Sequence, residues 1–289
     1  MNTLVEQMIQ TYKAQTVYDQ KNAMKEVMQE IVLCELSRAG FFSKAAFYGG
    51  TALRIFYGLD RFSEDLDFTL MHAKDDFDIQ SYFPALEKAV RAYGLNVIID
   101  DKEKVYNSNI QSAFLKANTK EHLLMFYSAD KEFSGVSNNE LTKIKFEIDV
   151  DPPGYATFER KYRLQPVPYE VNLYDESSLF AGKLHAVIGR AWKSRVKGRD
   201  LYDYVFYLSK GISFNRKHLR ARLLQSEHIT EDQKFELPEI KKMLNDKFDS
   251  IDYKQAKGDV SPFIRDTSVL DVWSADFFKQ ITAGLTERK

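Results

Sequence analysis

Two aspartates one residue apart, Asp65 and Asp67, stand between apolar Leu66 and Phe68 in the stretch YGGTALRIFYGLDRFSEDLDFTL, residues Tyr48 to Leu70. In an extended segment both carboxylates project from the same face of a strand. Carboxylates held side by side repel each other unless a proton or a cation stands between them. An oxygen-only pair suits Mg²⁺, which usually shares its coordination with substrate phosphates. Just upstream, the glycine pair Gly49-Gly50 and Thr51 form a turn ahead of a helical segment, and backbone N–H groups at such a turn bind phosphate oxygens. These residue types at these spacings describe a site for a nucleoside triphosphate with a metal.

A bare D-x-D is common, so its companions decide its meaning. The segment LTKIKFEIDV, residues 141–150, alternates: Ile144, Phe146, Ile148 and Val150 on one face, Lys145, Glu147 and Asp149 on the other. Two-metal phosphoryl transfer draws carboxylates from more than one element to hold ions roughly 4 Å apart. Pairing of this strand with residues 66–70 would supply Glu147, with Asp149 competing for the same role. A third group lies in GKLHAVIGRAWKSRVKGRDLYDY, residues 182–204. Lys183 and Arg190 lie two helical turns apart and so share a face. Lys193, Arg195, Lys197 and Arg199 follow, then Asp200 and Asp203. Such a run usually marks a solvated helix face. It also supplies what a triphosphate losing pyrophosphate, or an RNA backbone, requires. His185, with no partner evident in sequence, reads as a structural residue. No G-x-x-x-x-G-K-[ST], H-E-x-x-H, C-x-x-C or G-x-S-x-G occurs.

The elements that must position these residues follow from periodicity. A helix is expected over 20–39, a buried strand over 45–48, a helix over 51–57 and a strand over 66–70. A helix over 79–93 and strands over 95–99 and 141–150 come next, with β structure within 101–130. Helices are expected over 179–191 and 201–208 and near 216–224, 237–247 and 275–285. The periodicity breaks between about 155 and 175, at Pro166 and Pro168, dividing the chain into 1–165 and 166–289. Composition bounds the partners: 41 Lys and Arg against 42 Asp and Glu leave a net charge of −1, so nucleic-acid binding would need a local basic patch. The one cysteine, Cys34, excludes an intrachain disulfide and fits a reducing compartment. The N-terminus lacks a signal-peptide pattern and no apolar run is long enough to span a bilayer. A soluble, cytoplasmic protein with no membrane partner is expected.

At these residues the chain resembles a known family. Gly49-Gly50-Thr51-Ala52-Leu53-Arg54, followed by Arg61-Phe62-Ser63-Glu64-Asp65-Leu66-Asp67-Phe68, resembles the first motif of the AbiEii/AbiGii-type nucleotidyltransferase toxins, of the polymerase-β-like superfamily. Lys183 with Ala186 and Arg190, then Gly198-Arg199-Asp200-Leu201-Tyr202-Asp203, resembles its later motif. The likeness covers roughly residues 25 to 210. It implies an α+β fold: a nucleotidyltransferase-like mixed sheet core with N-terminal helices over 1–165, then a mainly helical region over 166–289. It implies transfer of a nucleoside monophosphate from an NTP with Mg²⁺, two ions being expected. For some members the acceptor is the 3′ end of tRNA. It further implies a toxin of a toxin–antitoxin or abortive-infection system, silenced by a cognate antitoxin protein.

Carried onto this chain, the metal ligands are Asp65, Asp67 and Glu147. Gly49, Gly50, Thr51, Arg54, Lys183 and Arg190 would bind the nucleotide, with Gly50 and Thr51 on the β- and γ-phosphates. Lys183 would balance triphosphate charge, and Asp200 would fix Lys183 or Arg199. Thr51 retains the hydroxyl that many superfamily members carry on a serine. Two other readings share these residues. One is a non-catalytic nucleotide- or RNA-binding protein of the same fold, which would tolerate loss of Asp65 and Asp67. The other is a transferase acting on a small molecule.

Overall fold

Helix-forming and strand-forming segments alternate through the first half of the chain and give way to helices in the second. The computed structural model describes residues 3–73, 77–101, 119–128, 142–192 and 196–288. The chain divides into two compact units. One comprises Met1–Ala52, Ser63–Pro152 and Glu159–Leu173; the other comprises Leu53–Phe62, Pro153–Phe158 and Tyr174–Lys289.

The first unit is built on a seven-stranded mixed sheet. Its strands are β1 (Ala45–Tyr48), β2 (Leu66–Leu70), β3 (Leu95–Asp101), β4 (Thr119–Ser128), β5 (Thr142–Asp149), β6 (Phe158–Arg163) and β7 (Tyr169–Tyr174), in the spatial order β3-β4-β5-β2-β1-β7-β6. β2 lies antiparallel to β1 and parallel to β5, with Leu66 opposite Phe146 and Phe68 opposite Ile148. The inward rings form the core: Phe68 lies 4.7 Å from Phe146 and 5.1 Å from Phe47 between ring centroids. Each such buried ring contributes about 1.5–3 kcal/mol, so β2 is pinned from both sides in one register.

Helix α1 (Thr3–Gln10) packs on α2 (Val17–Arg38), and α2 lies against β5. Thr16 and Asp19 close a reciprocal capping box that starts α2. Its apolar face carries Ala23, Val27, Ile31 and Cys34, all fully buried, but Glu26, Gln29 and Glu30 are buried with them. Buried polar groups need partners. Glu30 takes the Arg163 guanidinium and the Tyr169 hydroxyl, and Glu26 accepts from Tyr12. Helix α3 (Gly49–Tyr57) follows β1 without an intervening turn, and α4 (Phe83–Ala92) packs on β3.

The second unit carries α5 (Glu176–Gly189), α6 (Gly198–Ser209), α7 (Arg216–Gln225), α8 (Leu237–Asp249), α9 (Tyr253–Val260) and α10 (Ala275–Thr282). Asp175, Asn215, Asp252 and Ser274 each cap a helix by accepting a backbone N–H. Phe180, Tyr204, Tyr207, Phe248 and Phe278 fill the space between the helices. α6 begins at Gly198, where α9 comes too close for a side chain: a Cβ there would stand 2.7 Å from the Ala256 carbonyl carbon.

Most expected elements form, with shifted ends. The expected β structure of 101–130 is realised by Asp101 and β4; residues 102–118, 129–130 and Leu141 lie outside the described residues. Two strands were not read from sequence. β6 and β7 occupy the proline-interrupted stretch, and β7 pairs in parallel with β1, Leu173 opposite Phe47. Among the described residues no helix is long and apolar enough to cross a membrane.

Candidate active site

The carboxylate cluster belongs to the first unit. The parallel pairing of β2 and β5 sets Asp67 opposite Glu147 and Thr69 opposite Asp149. Glu147 therefore stands beside the D-x-D, while the Asp149 carboxylate accepts the Asp151 N–H at 3.1 Å. Asp67 is half-buried, and its carboxyl is pushed well above the usual range. Burial is the first cause; Glu147, Asp65 and a hydrogen bond shared with Glu147 add to it, against an opposing pull from Lys145. The Lys145 ammonium is paired with Glu147.

Backbone fits around this cluster closely. Gly49 has φ +81°, and a Cβ on it would lie 3.0 Å from the Asp67 Cγ and closer still to a carboxylate oxygen. Only glycine satisfies both the left-handed conformation and that approach. Gly50 and Thr51 form the rest of the first turn of α3, so the glycine pair is the helix start rather than a loop ahead of it. Thr51 is fully buried and its hydroxyl donates to the Asp65 carbonyl. That bond fixes the backbone of the D-x-D. The approach to Asp65 is fastened by Gln29, whose Nε2 donates to the carbonyls of Ser63 at 3.2 Å and Glu64 at 2.9 Å. Lys25 pairs with the Glu64 carboxylate at 2.9 Å.

The donor set is what a hard divalent cation takes: carboxylate oxygens from two elements, crowded enough to raise a proton affinity. Among the described residues no three such side chains stand ready as a closed metal-holding group, and Lys145 supplies the nearby positive charge. The residues fit a metal by chemistry and register, with Glu147 drawn onto Lys145.

The cationic constellation belongs to the second unit. Lys183 on α5 donates to Asp200 Oδ1 at 2.7 Å and contacts Asp203 Oδ2 at 2.8 Å. Arg190 pairs with Asp200 Oδ2. Burial alone would raise the Asp200 carboxyl, but Lys183 and Arg190 outweigh it and hold it below its ordinary value. One expectation changes here. α5 ends at Gly189, and Arg190 is extended with ψ 128°, so it meets Lys183 through Asp200 and not along a helix face. Asp200 fixes Lys183 and Arg190, whereas Arg199 lies over the Phe263 ring at 4.4 Å and 3.9 Å from Asp259. Lys193 and Arg195 lie outside the described residues.

Arg54 is engaged with its own loop: Nη1 donates to the carbonyls of Leu59 and Asp60, both at 2.9 Å, and the guanidinium covers Phe62. His185 bonds Ser226 at 2.9 Å, and burial followed by the Arg222 charge pushes its pKa down to about 3. It is a neutral structural group at physiological pH. Sequence reasoning did not single out Gln29, Lys145 or the bond between Arg61 and Asp203. Gln29 alone left a signal, a polar residue within the apolar face of α2.

A D-x-D in register with a neighbouring carboxylate, beside a glycine helix start in a mixed sheet, is the arrangement that a metal-assisted nucleotide site calls for. The chain belongs to the nucleotidyl transferase AbiEii toxin family of type IV toxin–antitoxin systems, which matches residues 31–280. Among solved structures it is similar to MenT4, a nucleotidyltransferase toxin from Mycobacterium tuberculosis H37Rv. That match has 14% identity and a TM-score of 0.54, and covers 100% of this chain and 90% of that one. A structure from H. pylori assigned as a nucleotidyltransferase matches with 19% identity and a TM-score of 0.50, covering 89% of this chain and 90% of that one. At these identities the likeness speaks for the fold. No curated protein matches the chain.

Proposed function

We propose that the protein is a Mg²⁺-dependent toxin acting in the cytoplasm, which moves a nucleoside monophosphate from an NTP onto an RNA hydroxyl, the 3′ end of tRNA being the acceptor that the family resemblance favours. The observation that carries this reading is the register of Asp67 against Glu147, with Gly49 open for the Asp67 carboxylate. In the reaction the acceptor oxygen bonds to the α-phosphorus and the bond from that phosphorus to the bridging oxygen breaks. Pyrophosphate leaves, and the hydroxyl proton passes to solvent or a carboxylate. Asp65, Asp67 and Glu147 would hold the metal, which when bound would neutralise charge on the triphosphate. Backbone N–H groups of Gly50 and Thr51 receive phosphate oxygens at the start of α3. Lys183 balances the charge of the departing pyrophosphate and Asp200 orients its ammonium. Positioning and electrostatics of this kind account for most of phosphoryl-transfer catalysis. A cognate antitoxin would complete the system.

Lys183, Arg190 and Arg199 all have aspartate neighbours, which leaves less unneutralised charge for a nucleic-acid backbone than the residue count promised. That favours keeping a small hydroxyl acceptor as the second reading. Incubation with each α-labelled NTP in turn, with and without total RNA, separates the readings. Label entering a tRNA-sized band with Mg²⁺, and not with EDTA, is expected. Label entering only small molecules would transfer the assignment to the second reading, and no label from any NTP would sink both.

A further inference from the structure

Four charged side chains of the second unit are withdrawn from water around one another, and stability alone is a weak reason for that. Arg61 is 3% exposed and Asp203 0%. Arg61 Nε meets Asp203 Oδ1 and Nη2 meets Oδ2, each at 2.6 Å, while Nη1 donates to the Phe62 carbonyl at 2.9 Å. The same Oδ2 of Asp203 receives Lys183, whose other partner is Asp200, and Asp200 in turn holds Arg190. Signs alternate along this series: Arg61, Asp203, Lys183, Asp200, Arg190. A buried ion pair often stabilises no more than apolar residues of its size would. Its fork does supply orientation. Two parallel bonds fix the Asp203 carboxylate plane, and that plane aims Oδ2 at an ammonium on a flexible four-carbon stem.

We propose that Arg61 is a positioning residue: through Asp203 it keeps the Lys183 ammonium shared between Asp203 and Asp200. Without the fork, Asp203 is answered by Lys183 alone and is free to turn. The ammonium then follows that one carboxylate and leaves its shared position. The catalytic consequence rests on the role given above to Lys183; the positional consequence does not.

The test uses the full-length protein with Arg61→Lys, which keeps the charge and loses the fork, and Arg61→Met/Asp203→Leu, which replaces the buried pair with apolar groups. Two quantities are read. One is kcat and KM for the NTP. The other is acylation of Lys183 by acetic anhydride, measured by mass spectrometry against exposed Lys242 in the same sample. A 1 Å misplacement can cost about 10²-fold in rate. The double variant is therefore expected to lose kcat on that order with KM changed much less, and Arg61→Lys to recover part of it. Relative acylation of Lys183 should change severalfold in both variants. Folded variants with wild-type kcat and wild-type acylation would overturn the proposal. If the wild-type protein transfers no nucleotide, the function proposed above fails, and the acylation ratio still decides whether Arg61 positions Lys183.

Discussion

At Gly49 a φ of +81° and the neighbouring Asp67 carboxylate act on the same position. Gly49→Ala is expected to cost about 1–2 kcal/mol from the left-handed backbone alone, and more from displacing the carboxylate. A urea midpoint equal to wild type would contradict this. Asp67 itself carries a measurable penalty. Its folded-state pKa lies above its unfolded value because of burial, Glu147 and Asp65, so the native state binds the proton more tightly. The penalty is absent below the unfolded pKa and grows as pH rises through the folded one. At neutral pH in EDTA, Asp67→Asn should therefore stabilise the protein, by about 1 kcal/mol for relieving like charges on adjacent strands. Its melting temperature should rise while metal-dependent stabilisation disappears. A fall in melting temperature would contradict the crowding inferred here.

The elements differ in how far sequence reveals them. β1, β2 and β5 were legible because their inward residues are apolar and turn or helix signals bound them. β6, FERKYR, is an edge strand with no fully buried residue, so alternation had nothing apolar to follow, and Pro166 and Pro168 hid the hairpin to β7. α9 has only Ala256 and Val260 buried, too short a stripe to find by periodicity. Register, not pattern, chose Glu147 over Asp149 as the neighbour of Asp67, and the Arg61–Asp203 bond joins residues 142 positions apart. Among the helices, α5 and α7 carry His185 and His218, both depressed to about 3, by burial first and then by Arg222. Depressed histidines contribute stability that is complete above the unfolded pKa of about 6.5 and lost as pH falls toward the folded value. Unfolding midpoints should drop between about pH 6.5 and about pH 4. Replacing both histidines with glutamine should flatten that fall, and an unchanged slope would contradict the assignment.

For the whole molecule, Cys34 reports on opening of the first unit. Burial, followed by Glu35, pushes its thiol up to about 11, and the side chain is fully buried. A thiol reagent at pH 8 should leave the native protein unmodified and label it fully in denaturant; rapid labelling of the native protein would contradict the packing of α2. The family was readable from two motifs, and the first of them encodes backbone demands, a glycine helix start and a strand of alternating carboxylates. The acceptor was not, since it depends on surfaces that no short motif specifies. The central claim is that the Asp65, Asp67 and Glu147 cluster carries the reaction. It is tested most directly by comparing label transfer from α-labelled NTP by Asp67→Asn and wild-type protein of equal fold content. Transfer lost to background in the variant, with its melting temperature at or above wild type, is the expected result. Transfer at the wild-type rate would contradict the account.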